Sequence, residues 1–167
     1  MRPKLCLLIV LALGAGCATA PALPKVAANA PPDQAIQVTG NAQIEEIEKD
    51  LEPCVEAARA TLPDAMARFQ KGLPKGQVFS VTVRLRDEAR HFEQAYVAVD
   101  RIQNGRVEGR IWTELQLVRN YHAGQAIVLP ESEVLDWTIS RPDGTEEGNL
   151  LGNHLESGAP CTKPAGK

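Results

Sequence analysis

The hydrophobic pattern changes period once along this chain. In "NAQIEEIEKDLEPCVEAARATLPDAMARFQKGL" apolar residues recur every three or four positions, beginning with Ile44, Ile47 and Leu51, and this spacing predicts an amphipathic helix. Val55, Ala57, Ala58 and Leu62 continue the apolar stripe. Asp50 is placed to cap the amides that follow it, and Pro53 suits a first helical turn, where no N–H donor is needed. Thr61 to Pro63 predicts a break, after which the helix restarts with Met66 and Phe69 inward and stops at Gly72.

From Gln77 the period becomes two. In "VFSVTVRLR", Phe79, Val81, Val83 and Leu85 alternate with Ser80, Thr82, Arg84 and Arg86, which predicts a strand with one buried and one wet face. "FEQAYVAVDRI" and "RVEGRI" follow as strands, and Asn104-Gly105 between them is a strong two-residue hairpin signal. "QAIVL", closed by Pro130, and "VLDWTI" are two further strands. Pro142 to Gly144 makes a turn. A short helix is then expected from Thr145 to Leu155, capped by Thr145, with Glu146 and Glu147 at its positive end. The fold class is α+β: N-terminal helices packed on a curved, mainly antiparallel sheet of about five strands, closed by a short C-terminal helix.

The N-terminus reads as a targeting signal. "MRPKLCLLIVLALGAGC" has Arg2 and Lys4, an apolar run from Leu5 to Leu13 that is too short for a permanent span, and small residues after it. "LGAGC" resembles the lipobox of bacterial lipoproteins, with Cys17 as the lipidation site; Gly14 departs from it, because the usual leucine sits one place earlier at Leu13. The alternative is cleavage after "ATA" (Ala18 to Ala20), releasing a soluble periplasmic protein. The division that follows is 1–16 signal peptide, 17–42 lipid-anchored Ala/Pro-rich linker, 43–158 globular domain and 159–167 tail. The expected location is the bacterial cell envelope, facing the periplasm and held in the outer membrane by the lipid alone. Fully extended, the Ala/Pro-rich stretch from Ala18 to Ala35 would reach roughly 55 Å at about 3.1 Å per residue.

Export changes the cysteine arithmetic. Cys6 leaves with the signal and Cys17 takes the lipid, so Cys54 and Cys161 remain as an even pair in an oxidising compartment. They form either a disulfide or two unrelated thiols.

Composition narrows the chemistry. Aromatic residues make up 4% of the chain and the formal charge is −3, which argues against a nucleic-acid partner. Loss of Arg2 and Lys4 lowers the 18 basic side chains to 16 against 21 acidic ones, a mature charge of −5. The histidines, His91, His122 and His154, lack the short spacing to another histidine or a cysteine that a zinc site in one segment needs, and no metal or cofactor is expected. His91 and Glu93 share one side of a strand, although an exposed strand end explains them as well. "KGLPKG" has no strand before it and no helix directly after it, so it is a helix stop rather than a phosphate loop.

Asp136, Asp143, Glu146 and Glu147 gather near the last strand without making an acid–base dyad, since adjacent helical residues point apart. Local structure does not account for Gly148-Asn149, Gly152-Asn153 or His154. Two glycines four apart on a helix bare a strip, against which another backbone or a partner would pack.

The pieces "EAARATLPDAMARF", "HAGQAIVLPESEVLDWTI" and "PDGTEEGNLLGNHL", from about Ala57 to Glu156, resemble the bacterial domain-of-unknown-function family 2314. The resemblance implies a small α+β domain and brings no catalytic residues with it; some relatives look similar to immunity proteins that bind toxins. The leading expectation is a non-catalytic envelope binding module for a protein or small ligand, with a face carrying Trp112, Asp136, Glu147, Asn149, Asn153 and His154. One alternative is an envelope hydrolase using Glu147 and His154, which would need the two within hydrogen-bond reach. The other is an immunity-type toxin inhibitor.

Overall fold

The computed structural model describes residues 22–25, 37–38, 41–89 and 91–161. The signal-like segment, Cys17, most of the linker and the tail beyond Cys161 lie outside the described residues. The elements run β1 (Gln37–Val38), α1 (Asn41–Lys71), β2 (Val78–Arg86), β3 (Phe92–Gln103), β4 (Arg106–Ile111), β5 (Ala126–Pro130), β6 (Val134–Ser140), β7 (Glu146–Gly148) and α2 (Leu150–Ser157). Every pairing is antiparallel, in the order β5-β4-β3-β2-β6-β7, and β1 joins the start of β3. The α+β architecture expected from the pattern is present, with the five expected strands and two short ones, β1 and β7.

One long helix stands where two were expected. α1 contains both Pro53 and Pro63 and is not broken at Thr61. Leu51, Cys54, Ala58, Leu62, Ala65 and Met66 are all buried, so a single apolar stripe passes both prolines and packs on the sheet. That burial outweighs the cost of the missing donors. Thr61 Oγ1 donates to the carbonyls of Ala57 and Ala58, and accepts the indole N–H of Trp137 at 2.9 Å. Asp50 therefore lies inside the helix rather than at its start.

The core lies between α1 and the sheet face that carries Phe79, Val81, Val83, Val97, Val99, Trp137 and Ile139. Phe69 of the helix stacks on Phe79 with ring centroids 5.2 Å apart. The other face is wet only at one end: Ser80, Thr82, Ala98 and Thr138 are buried, whereas Arg84 is half-buried and Arg86 exposed. β2 is a central strand with β3 and β6 on its two sides, and its short polar side chains sit among those of both neighbours. Register shifts at Thr82/Val83 and Val99/Arg101 mark bulges, which bend and twist the sheet. Asn104 (φ 54°) and Gly105 (φ 70°) form the two-residue turn between β3 and β4.

The segment after β6 departs from expectation. Glu146 and Glu147 belong to β7, and α2 begins only at Leu150. Thr145 does not cap a helix; its N–H and its hydroxyl both donate to Asp143 Oδ1, closing the turn between the two strands. Gly148 (φ 84°) and Asn149 (φ 51°) then reverse the chain from strand to helix. A Cβ on Gly148 would overlap the Trp137 carbonyl oxygen and come within 2.8 Å of Trp137 Cε3. A Cβ on Gly152 would overlap the Asn149 side-chain amide. Both glycines answer to packing within the chain.

Candidate functional site

The six residues expected to share a face do not form one surface. Trp112 follows β4 and donates its backbone N–H to the Tyr96 carbonyl at 2.7 Å. β3, β2 and β6 separate β4 from β7, so at about 4.8 Å per strand Trp112 stands roughly 19 Å from Glu147 across the sheet. Asp136 and Asn149 are buried. Asp136 accepts the N–H of Trp137 at 2.7 Å and that of Leu151 at 2.8 Å. It thereby ties the first turn of α2 to β6 and sets a carboxylate at the positive end of that helix. The Asn149 amide donates to Glu146 at 2.9 Å, and Asn149 N–H donates to the Trp137 carbonyl. Asn153 is exposed and donates weakly to the Gly148 carbonyl at 3.4 Å.

Glu147 is held by two arginines that were not anticipated. Arg68 of α1 reaches it at 2.8 Å and Arg141 at 2.9 Å. Arg68 also lies over the Trp137 ring, 5.6 Å from its centroid. The hydrogen bond from Arg68 holds the Glu147 carboxyl below the ordinary carboxylate value, and the charges of Arg68 and Arg141 add to this. A carboxyl kept ionised in this way is poorly suited to donate a proton.

His154 takes part in a separate cluster. Its Nδ1 is 2.8 Å from the Ala159 carbonyl and its Nε2 is 3.4 Å from Asp50 Oδ2. These two acceptors, Ala159 first, raise the imidazole above its ordinary value. Glu147 and His154 thus have different partners, and no hydrogen bond joins them as the hydrolase alternative requires. Beside His154, Cys54 and Cys161 form a disulfide with Cα atoms 4.5 Å apart. The paired reading of these cysteines is correct. One donor atom each from Cys54, His154 and Cys161 lie within 4.8 Å of one another. Gly158 (φ 65°) ends α2 and returns the chain toward α1, so Ala159 meets His154 and Cys161 meets Cys54.

The other histidines are occupied elsewhere. His91 pairs with Asp87 at 2.8 Å, while Glu93 is fully buried and accepts backbone N–H groups from Gln116, Leu117 and Val118. The two do not make the metal pair that their spacing allowed. His122 Nδ1 lies 3.1 Å from the Ala123 carbonyl. Asp50 was the overlooked member of the disulfide cluster, although its position four residues before Cys54 on one helix was a visible signal. Arg68 had no such signal, because only tertiary packing brings it to Glu147, 79 positions away.

Among the described residues no helix is long and apolar enough to cross a membrane. Comparison of the chain with protein-family models, curated proteins and solved structures finds no match.

Proposed function

We propose that this chain is a non-catalytic binding module of the bacterial cell envelope, held at the membrane by acylated Cys17 and engaging a partner protein along the edge of β5. The observation that carries the reading is the open edge of the sheet. β5 pairs with β4 on one side, and among the described residues no strand pairs with the other. Ile111 N–H donates to Gln125 and Glu131 N–H donates to Gly105, so odd-numbered residues of β5 bond to β4. By the alternation of an antiparallel ladder, Ala126 and Val128 turn their backbone groups outward. Val128 is 50% exposed, one of two large apolar side chains so exposed in the described chain. An extended segment of a partner would add to this edge through main-chain hydrogen bonds, with the Val128 side chain offering apolar contact.

The test is photo-crosslinking in intact cells from a reactive residue at Ala126, with one at exposed Glu56 of α1 as the control. A specific adduct should form at 126 and not at 56. Val128→Pro removes an outward N–H and leaves the β4 ladder intact, so it should abolish that adduct without unfolding the domain. In the same cells Cys17→Ala should move the chain from the membrane to the soluble fraction. Equal adducts at both positions, or an adduct indifferent to Val128→Pro, would refute strand addition. Unchanged membrane association of the Cys17 variant would refute the anchor.

A further inference from the structure

A disulfide that merely tied the tail to α1 would not need an imidazole and a carboxylate around it. Here both are present and oriented. His154 directs Nδ1 at a backbone carbonyl and Nε2 at Asp50 Oδ2, 3.4 Å away, and one of its ring nitrogens lies within 4.8 Å of both cysteine sulfurs. Metal-ligating histidines are commonly fixed in this way: one ring nitrogen donates to a carbonyl and the other is presented to the ion. The spacing also fits. A tetrahedral zinc ion with Zn–N and Zn–O of about 2.0–2.1 Å sets nitrogen and oxygen roughly 3.3 Å apart.

We propose that when the Cys54–Cys161 bond is reduced, the two thiolates, His154 Nε2 and Asp50 form a tetrahedral site for a thiophilic divalent cation, with zinc as the best match. The disulfide and the metal are alternative states of one site. Either one holds the tail against α1. This inference does not depend on the β5 edge.

The chemistry balances. A dithiol reductant donates two electrons and two protons to the disulfide and closes to its own disulfide, leaving Cys54 and Cys161 as thiols. Zinc then binds both as thiolates and releases two protons. His154 must be neutral to ligate, so any imidazolium gives up one more. Access is open: Asp50 is 72% exposed and the His154 side chain 23%, while Cys54 closes the inner side. The sulfurs have to separate from bonding distance, and Cys161 can supply the movement. It follows the helix-ending Gly158 and belongs to neither a helix nor a strand.

The test uses the full chain with Cys6→Ser and Cys17→Ser, so that Cys54 and Cys161 are its only cysteines. The disulfide is opened with a phosphine, which becomes a phosphine oxide and does not compete for zinc as a dithiol would. The reduced chain should bind one equivalent of Zn²⁺ and retain it at about 1 μM free zinc, and the oxidised chain should bind none at that concentration. Zinc X-ray absorption should show two sulfur neighbours near 2.3 Å and two nitrogen or oxygen neighbours near 2.0 Å. His154→Ala should weaken binding at least about tenfold, with Asp50→Asn weakening it in the same direction. Equal binding by both redox forms would overturn the proposal. So would a ligand shell without two sulfurs, or zinc affinity unchanged by His154→Ala. The absorption experiment leaves Cys54, Cys161, His154 and Asp50 unchanged, so the proposal stays testable even if a substitution at one of them disturbs folding.

Discussion

Replacing Gly148 with alanine tests the β6–β7–α2 junction directly. Gly148 has φ 84°, which costs an L-residue about 1–2 kcal/mol. The new Cβ would also overlap the Trp137 carbonyl and approach the indole to 2.8 Å. That carbonyl accepts the Asn149 N–H at 2.8 Å, so relieving the overlap means losing or stretching this bond, worth about 1 kcal/mol, and disturbing the packing of Trp137. The sum is about 3 kcal/mol. Gly105→Ala is the control: φ there is 70°, yet nothing lies within 4 Å of an added Cβ, so only the backbone cost of about 1 kcal/mol applies. For a domain of this size 1 kcal/mol lowers Tm by about 4 °C. Thermal and urea unfolding followed by circular dichroism should then show losses of about 12 °C and 4 °C. Equal losses, within about 0.5 kcal/mol, would mean that the close approach of Gly148 to β6 carries no energy.

Two further outcomes follow from the disulfide cluster. Cys161→Ser opens a closure spanning 107 positions and should lower stability by about 2–4 kcal/mol, read as a shift in the urea midpoint. Reduced wild-type protein, unfolded without metal, should match the variant, and a midpoint unmoved by reduction would show that the bond adds nothing. His154 has its value raised above 6.5 by Ala159 and Asp50, so the stability it contributes is present in full below about pH 6.5 and is lost as pH rises through its folded value. His154→Gln should flatten the stability profile across that window, and a profile of unchanged slope would remove the imidazolium from the account.

The strands from Val78 to Ser140 were legible because apolar side chains recur at every second position along stretches such as Phe79 to Leu85 and Leu135 to Ile139, even where the polar side chains between them are also buried. The Asn104-Gly105 turn was legible because so few residue pairs accept two positive φ values. Exact helix limits were not. Pro63 is a breaker by local rules, and only the burial of Ala58, Leu62, Ala65 and Met66 against the sheet carries α1 through it. Glu146 and Glu147 suit a first helical turn, yet pairing with Ile139 and Ser140 makes them a strand. Gly148-Asn149 carries the same positive-φ signal as the hairpin, in reverse order, and could have placed the helix start at Leu150.

The candidate site divides along the same line. The sequence by itself determined which residues could do chemistry, because side-chain type is a property of composition. Tertiary structure alone decided their company. Arg68 meets Glu147 across 79 positions and Asp50 meets His154 across 104. Asp136 and Glu93 become buried acceptors for backbone amides 15 and 23 to 25 residues further on. A pattern of period two or 3.6 states which face of an element is apolar, but contains no term for which other element that face or its polar rim will touch. That choice depends on burial and hydrogen bonding summed over the whole domain, and it assigned most of the expected site to structural work while gathering the cysteines, His154 and Asp50 at one place.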